Sequence, residues 1–412
     1  MTVIIIGAGA AGLATAVFAA RAAPGLDVRC LDGATKIGAK ILVSGGSRCN
    51  VTNRVVTESD FWGGSSRVVR NVLRAFPADR ATMFFAQLGV QLHEEEDGKL
   101  FPDTNRSRTV LDALLAEADR LGITIETGRR VASITHEGRH FAIATSDGGR
   151  FDARMVVLAT GGRSLPKTGS DGFGYELARN LGHGYVETTP ALAPLVLEGD
   201  RHRGLSGVSH EVALSLRVDG VIAVRLAGSM LWTHFGISGP VALNASRHWH
   251  RARLAGQAVD VLVNVCPDEK FESLEDWCRS QERLRPKGRV STMLSARIPS
   301  SVADAWVAAA AIDPETTLAH LSKTARRRLL HALLETRLNV IDSRGYSYAE
   351  VTSGGIPLDE IDPATMQSRK CPGLLLVGEM LDVDGRLGGF NFQWAWSSGW
   401  VAGQAIARAS RV

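Results

Sequence analysis

"VIIIGAGAAG", residues 3–12, decides the fold. Its first four residues are an unbroken apolar run, the pattern of a strand buried on both faces of a parallel sheet. The run enters Gly7-Ala8-Gly9-Ala10-Ala11-Gly12, a GxGxxG. A helix of small residues follows from Leu13 to about Ala23. Gly7 permits the tight turn, Gly9 lets the backbone approach a pyrophosphate, and Gly12 lets helix and strand pack closely. The helix start offers unpaired N–H groups and partial positive charge to phosphates. A second apolar run, "VRCLD" (28–32), ends in Asp32, whose carboxylate can accept from both hydroxyls of a ribose. Strand, glycines, helix, strand and acid in that order predict a dinucleotide site built from Gly7, Ala8, Gly9, Ala10, Ala11, Gly12, Asp32 and Gly33.

The next twenty residues choose the dinucleotide. In an NAD domain a third strand soon follows the acid. Here "GATKIGAKILVSGGSRCNVTN" (33–53) reads as a long loop of glycine and polar residues, which suits the longer FAD. Its candidate ligands are Lys40, Ser44, Gly45, Gly46, Arg48, Cys49 and Asn50: glycines for close backbone approach, and side chains that bond phosphate, ribitol or ring. Cys49 has no second cysteine within reach, so it does not form a flavin-reducing disulfide, and a covalent flavin link is the lesser reading.

Two further buried strands belong to the same sheet. "ARMVVLATGGRS" (153–164) ends at Ala159, Thr160 and Gly161, and Val131 upstream joins the candidate set. "GLLLVGEMLDVDG" (373–385) ends at Gly378 and Glu379. One of Glu379, Asp382 and Asp384 is expected to accept from a ribitol or ribose hydroxyl, with capping of a turn as the bland alternative. The last helix then points its N-terminus, around Gly389, Phe390, Asn391 and Phe392, at the ligand. A helix end there can stabilise negative charge on a reduced flavin ring.

After Pro190 the pattern changes. "VALSLRVDGVIAVRL" (212–226) alternates about Asp219-Gly220, a hairpin signal, and "VDVLVNV" (259–265) alternates as a half-buried strand. From Cys266 to Asn339 the reading is helical, segmented by prolines. The expected architecture is therefore α/β: a discontinuous FAD-binding domain (1–190 and 345–412) of the glutathione-reductase type, Rossmann-like and three-layered. Into it are inserted a β-rich, barrel-like part (191–265) and a small helical part (266–344).

Composition narrows the rest. The chain of 412 residues has a net charge of +4, with 47 Lys and Arg against 43 Asp and Glu, too even to announce a nucleic-acid or membrane partner. "KTARRRLLHALLETR" (323–337) reads as a packed helix with a solvated arginine face. Five scattered cysteines make no disulfide or zinc pattern, so a reducing cytoplasm is the expected compartment. The "HWH" at 248–250 lacks a third ligand, and no metal is expected. The apolar start lacks the basic region of a signal peptide, and no stretch has the ~18 apolar residues of a membrane span.

The chain resembles the YhiN/BaiN-like family of bacterial flavoproteins, which includes aminoacetone oxidase-type enzymes. The match rests on "GAGAAG", "GAKILVSGGSRCNVTN", "GKLFPDTNRSRTVLDAL" (98–114), "LATGGRSLPKTGSDGFGYELARNLGH" (158–183), "WTHFGISGP" (232–240), "VTSGGIPLDEID" (351–362) and "GEMLDVDGRLGGFNFQWAWSSG" (378–399). Two positions depart from the family: Asp32 where Glu is common, and Ser47 where Gly is common. The resemblance implies an FAD-dependent oxidoreductase that transfers hydride at the flavin. The substrate is then an amine or aminoketone, or an enone-like carbonyl compound reduced at the expense of NAD(P)H. No second GxGxxG follows a strand, so a nicotinamide would bind only transiently. His234 is the acid–base candidate, because imidazole titrates near neutrality; holding a turn is its alternative role. The rival functions are support of RNA modification and flavin binding without turnover.

Overall fold

The computed structural model describes residues 1–200 and 202–411. The chain forms two compact units, 1–190 with 349–412, and 191–348.

The first unit is built on a seven-stranded sheet. Its order is Ile361–Asp362, Gln367–Ser368, Leu374–Leu376, Met155–Leu158, Thr2–Ile6, Asp27–Asp32 and Thr124–Thr127. The last five strands run parallel, with Val3 opposite Met155 and Val28. Val3, Ile5, Val156, Val157, Leu374 and Leu375 are fully buried, as apolar runs between two covering layers must be. An antiparallel meander of Val131–Glu137, His140–Thr145 and Arg150–Ala153 packs against the strands Thr2–Ile6 and Met155–Leu158. The helices Ala10–Ala22, Ser107–Arg120 and Phe390–Ala409 supply the third layer.

The first and last helices lie unusually close. A Cβ added at Gly399 would sit 2.9 Å from the Ala14 Cβ, and one at Gly403 would sit 2.7 Å from the Phe18 Cβ. Trp394 and Trp396 are core residues of the last helix, and their indole N–H groups donate to Gly378 O (3.0 Å) and Val51 O (2.8 Å). The alternating aromatics Phe390, Phe392, Trp394 and Trp396 form the first two turns of this helix. Beneath the sheet edge, His183 bridges Glu360 (2.7 Å) and Ser368 (2.9 Å). This has the connectivity of a hydrolytic triad. However, Ser368 Oγ already accepts the N–H groups of Lys370 and Cys371, and the cluster is buried, so it braces the edge strands.

Strands Val186–Ala191 and Val351–Gly355 pair with each other at the two ends of the second unit's sequence. The second unit carries its own seven-stranded sheet: Thr336–Leu338, Val259–Asn264, Ser209–Val218, Val221–Thr233, Gly236–Ser238, Leu195–Leu197 and Val340–Ser343. Its first and last strands are consecutive in the chain, parted only by Asn339, so the sheet closes on itself as a barrel. Asp219 (φ 48°) and Gly220 (φ 85°) make the two-residue turn of the long hairpin, both left-handed as a type I′ turn requires. The helices Phe271–Leu284, Val290–Leu294, Ser300–Ala309 and Lys323–Leu334 follow. Two details differ from the sequence reading. Residues 336–343 return to the barrel, so the helical stretch ends earlier. Helix Pro240–Leu254 lies within the β-rich stretch. Its buried Val241, Ala242, Ala245, Trp249 and Ala252 have helical spacing, with Pro at the first turn.

That helix holds His248 and His250 half-buried, and His250 Nε2 lies 2.7 Å from Ser343 Oγ. Burial pushes both imidazoles down to about 4. In the unfolded chain they titrate at about 6.5. The unfolded state therefore takes up protons first as pH falls, so stability present above 6.5 is lost between 6.5 and 4. Thermal melts across this range should show Tm falling below pH 6.5, and His250→Gln should flatten the fall; an equally steep decline in the variant would remove His250 as a source.

Candidate flavin site

The three fingerprint glycines are required for different reasons. Gly7 has φ +101°, and a Cβ there would lie 2.5 Å from the carbonyl oxygen of Ala159. A Cβ at Gly12 would collide with the Gly7 carbonyl. Both glycines hold the fold together. Gly9 has an ordinary φ of −80°, and a Cβ there would meet no atom within 4 Å. Only Gly9 faces open space, where the helix start directs its N–H groups.

Asp32 closes one end of this cradle. Its Oδ2 accepts the Ala8 N–H (2.7 Å) and its Oδ1 accepts the Ala34 N–H (2.8 Å). Each oxygen keeps acceptor capacity for a ribose hydroxyl, and the backbone fixes its direction. Gly33 lies against Arg130, where an added Cβ would be 3.3 Å from the Arg130 Cβ, and Val131 is the next residue, buried. The turn Ala159-Thr160-Gly161 packs on Gly7. Thr160 Oγ1 is buried with no hydrogen-bond partner.

Gly378 (φ +73°) completes the cradle: a Cβ there would lie 2.7 Å from the Ala11 Cβ. Beside it, Glu379 is not a free acceptor. Its Oε2 receives Lys40 Nζ (2.6 Å), and its Oε1 receives Ser164 Oγ (2.7 Å) and the Thr352 N–H (2.9 Å). Lys40 also donates to Ser164 (2.7 Å). Lys40 and Glu379, both expected to touch the cofactor, spend their charges on each other and tie four distant segments together. Ser164 and Thr352 were missed as site residues, although both sit in glycine-containing motifs that single out their neighbourhood. Asp384 is buried in strand Val383–Gly385, which pairs with Phe61–Gly63.

The stretch 39–53 is more ordered than a loop. Ala39–Ser47 is helical, with a left-handed break at Gly45 (φ 54°), Gly46 (φ 66°) and Ser47 (φ 67°) and a further left-handed residue at Cys49. Ser44 Oγ turns back to Ile41 O (2.8 Å). Arg48, a candidate for phosphate, ribitol or ring, is engaged within the protein: its guanidinium grips both oxygens of Glu95 (2.6 and 3.1 Å) and lies over the Phe101 ring (4.1 Å). Cys49 is fully buried and its thiol is pushed up to about 12 by burial, so it forms no thiolate at neutral pH.

Asn50 differs. Its Oδ1 is buried without a hydrogen-bond donor, at the N-terminus of helix Phe390–Ala409, where a Cβ on Gly389 would lie 2.8 Å from it. An unsatisfied buried acceptor is costly, and a ring N–H or ribitol hydroxyl would relieve it. The two orphaned oxygens of Asn50 and Thr160, the open Gly9 cradle and the doubly anchored Asp32 together fit FAD. Three other candidates at the last helix have other duties. Asn391 holds the turn by bonding both backbone groups of Gly385 (2.8 and 2.9 Å). Phe390 is buried beneath the Arg386 guanidinium (4.4 Å). Phe392 stacks on Trp396.

His234 belongs to the second unit. It is exposed in the turn between Val221–Thr233 and Gly236–Ser238, and its carbonyl lies 3.2 Å from His202 Nε2. His202 also lines a cavity of about 340 Å³, with Leu197, Leu205, Trp232, Trp306 and Leu338.

A family described as the HI0933-like protein Rossmann domain matches residues 1–405. The chain belongs to this family. The HI0933-like assignment agrees with the YhiN/BaiN-like resemblance. The chain is 32% identical over 403 residues to a 3-dehydro-bile acid delta(4,6)-reductase of Clostridium scindens, covering 98% of each. It is 32% identical over 410 residues to a ribosomal RNA dihydrouridine synthase of Escherichia coli, again covering 98% of each. A namesake from Haemophilus influenzae is 31% identical over 411 residues. Among solved structures, a 3-ketosteroid delta1-dehydrogenase of Sterolibacterium denitrificans has TM-score 0.52 at 12% identity, covering 99% of both chains. This likeness concerns the fold. This HI0933-like chain is a flavoprotein oxidoreductase with a Rossmann-like FAD-binding fold. Among the described residues no helix is long and apolar enough to cross a membrane.

Gly9→Ala should fold with unchanged Tm yet bind FAD at least ~10-fold more weakly, a loss of about 1.4 kcal/mol; Gly12→Ala should lose the fold itself. Calorimetry with added FAD and thermal melts distinguish the two. Ser47→Gly should raise stability by roughly 1 kcal/mol by relieving a left-handed serine; a lower denaturation midpoint would contradict that.

Proposed function

We propose that the protein uses FAD to reduce a carbon–carbon double bond conjugated with a carbonyl, at the expense of NAD(P)H. One observation carries this reading. Two relatives matched over 98% of the chain have names that denote the same bond change. A delta(4,6) 3-oxo steroid and a uridine base both present a C=C bond in conjugation with C=O. The amine or aminoketone oxidation also implied by the family resemblance has no such support.

FAD, when bound, supplies hydride exchange at ring N5. The chain's own residues do the rest. The cradle Gly7–Gly12 takes the pyrophosphate, Asp32 the ribose, and Thr160 the same arm of the cofactor. Asn50 and the start of helix Phe390–Ala409 take the ring end, where the partial positive charge of the helix favours the reduced ring. The net reaction adds a hydride to the β-carbon and a proton to the α-carbon. His234 is the proposed proton donor. The carbonyl of His234 lies within reach of His202 Nε2, which holds the turn and leaves the His234 ring exposed.

Anaerobic mixing of the FAD-loaded protein with NADPH or NADH should bleach the flavin absorbance, and addition of a 4,6-dien-3-one should restore it. Recovery with oxygen but with no conjugated carbonyl would replace the reductase reading with an oxidase. His234→Asn should lower kcat by about 10²-fold, at the small end of general-acid effects, with KM little changed. Full activity in that variant would assign His234 to the turn alone.

A further inference from the structure

The net charge of the chain sits in one place. Residues 191–348 hold 20 Lys and Arg against 16 Asp and Glu, whereas the remainder holds 27 of each. Within the second unit two short acid-free segments stand out. Residues 283–289 carry Arg283, Arg285, Lys287 and Arg289, and residues 323–328 carry Lys323, Arg326, Arg327 and Arg328.

The fold brings these segments together. The Leu318 N–H donates to Gly288 O (2.9 Å) and the Ala319 N–H to Pro286 O (2.9 Å), so the first segment is laced to the turn just before Ser322. Ser322 caps the helix Lys323–Leu334, accepting from the Ala325 N–H (3.2 Å). That helix packs on Phe271–Leu284 through Leu274, Cys278, Leu329, Leu330 and Leu333. Three of the eight cations are committed. Arg326 is buried against Glu275 and Glu282, Arg289 pairs with Glu315, and Arg328 donates to the carbonyls of Ala310 and Ala311. The other five, Arg283, Arg285, Lys287, Lys323 and Arg327, are exposed. Among the described residues, none of the five has a carboxylate within ion-pair distance.

Five clustered cations without an ion pair repel one another. Arg327 lies over the Phe271 ring (5.7 Å), and nothing in the packing requires the other four to be charged. A solvated face would serve equally well with acids interspersed. A membrane surface would call for apolar side chains among the cations; here Leu284 is the large exposed apolar residue of the segment. A phosphate backbone needs only the cations. We propose that this face, Arg283–Arg285–Lys287 with Lys323 and Arg327, is a docking surface for RNA. The choice of RNA over another polyanion rests on the ene-reduction reading above, in which a base within RNA is one substrate class.

The test uses the full-length FAD-loaded protein and a fluorescein-labelled, uridine-containing stem–loop RNA, read by anisotropy across a salt series. Five phosphate contacts predict that log K falls against log salt with a slope of about −3.5 to −4.5. The triple variant Arg283→Ala, Arg285→Ala, Lys287→Ala should bind at least ~10-fold more weakly, with a slope shallower by about 2 to 3. Its anaerobic reduction by nicotinamide and its turnover of a small dienone should match the parent. Equal RNA affinity in parent and variant would overturn the proposal. So would binding to phosphatidylserine vesicles without binding to RNA. Loss of dienone reduction in the parent, with RNA binding intact, would instead sink the ene-reduction reading and leave the surface standing.

Discussion

Everything in the first unit depends on backbone touching backbone around the helix Ala10–Ala22. Gly7 lets the turn lie on the Ala159 carbonyl, Gly12 lets the helix fold back on that turn, and Gly378 brings the last strand's end against Ala11. Gly399 and Gly403 then seat the final helix on the first. No side chain fits at these points, so the geometry is enforced by hard-sphere exclusion and does not need hydrogen bonding to be specific. A cofactor cradle made in this way is stiff before any ligand arrives. The ligand then meets donors already aimed, and little ordering cost remains to be met on binding.

The electrostatics follow the same frame. Lys40, Ser164, Thr352 and Glu379 come from four separate segments and converge on one carboxylate. The network closes because the glycine contacts have already brought those segments within reach. It fixes the turn after the last strand where a charged side chain left free would be drawn towards phosphate.

Much of this was legible in the sequence. The glycines, the strand ends and Asp32 were readable because each follows from a local rule: a period, a turn or a steric limit. The hairpin at Asp219-Gly220 was readable for the same reason. What escaped was long-range pairing. Nothing near Arg48 announces Glu95, and nothing near Lys40 announces Glu379; both look like free ligands until the chain folds. Asn391 likewise looks like a ligand until Gly385 claims both ends of its amide. Asn50 is the converse, a residue whose importance shows only when its oxygen is found buried and unpartnered. Polar residue type is visible in sequence, but whether its capacity is already spent is a tertiary property.

The pairing of Val186–Ala191 with Val351–Gly355 has a consequence for how such a chain can diversify. These strands form a two-stranded sheet of their own and hold the two ends of the inserted unit side by side, whatever lies between them. Closure entropy grows only slowly with loop length, by about 0.6 kcal/mol per doubling. The insertion can therefore lengthen, shorten or exchange its surface with small effect on the stability of the cradle. The clamp works as a socket: the two ends of the insertion stay fixed to each other, while the sequence between them is free to change.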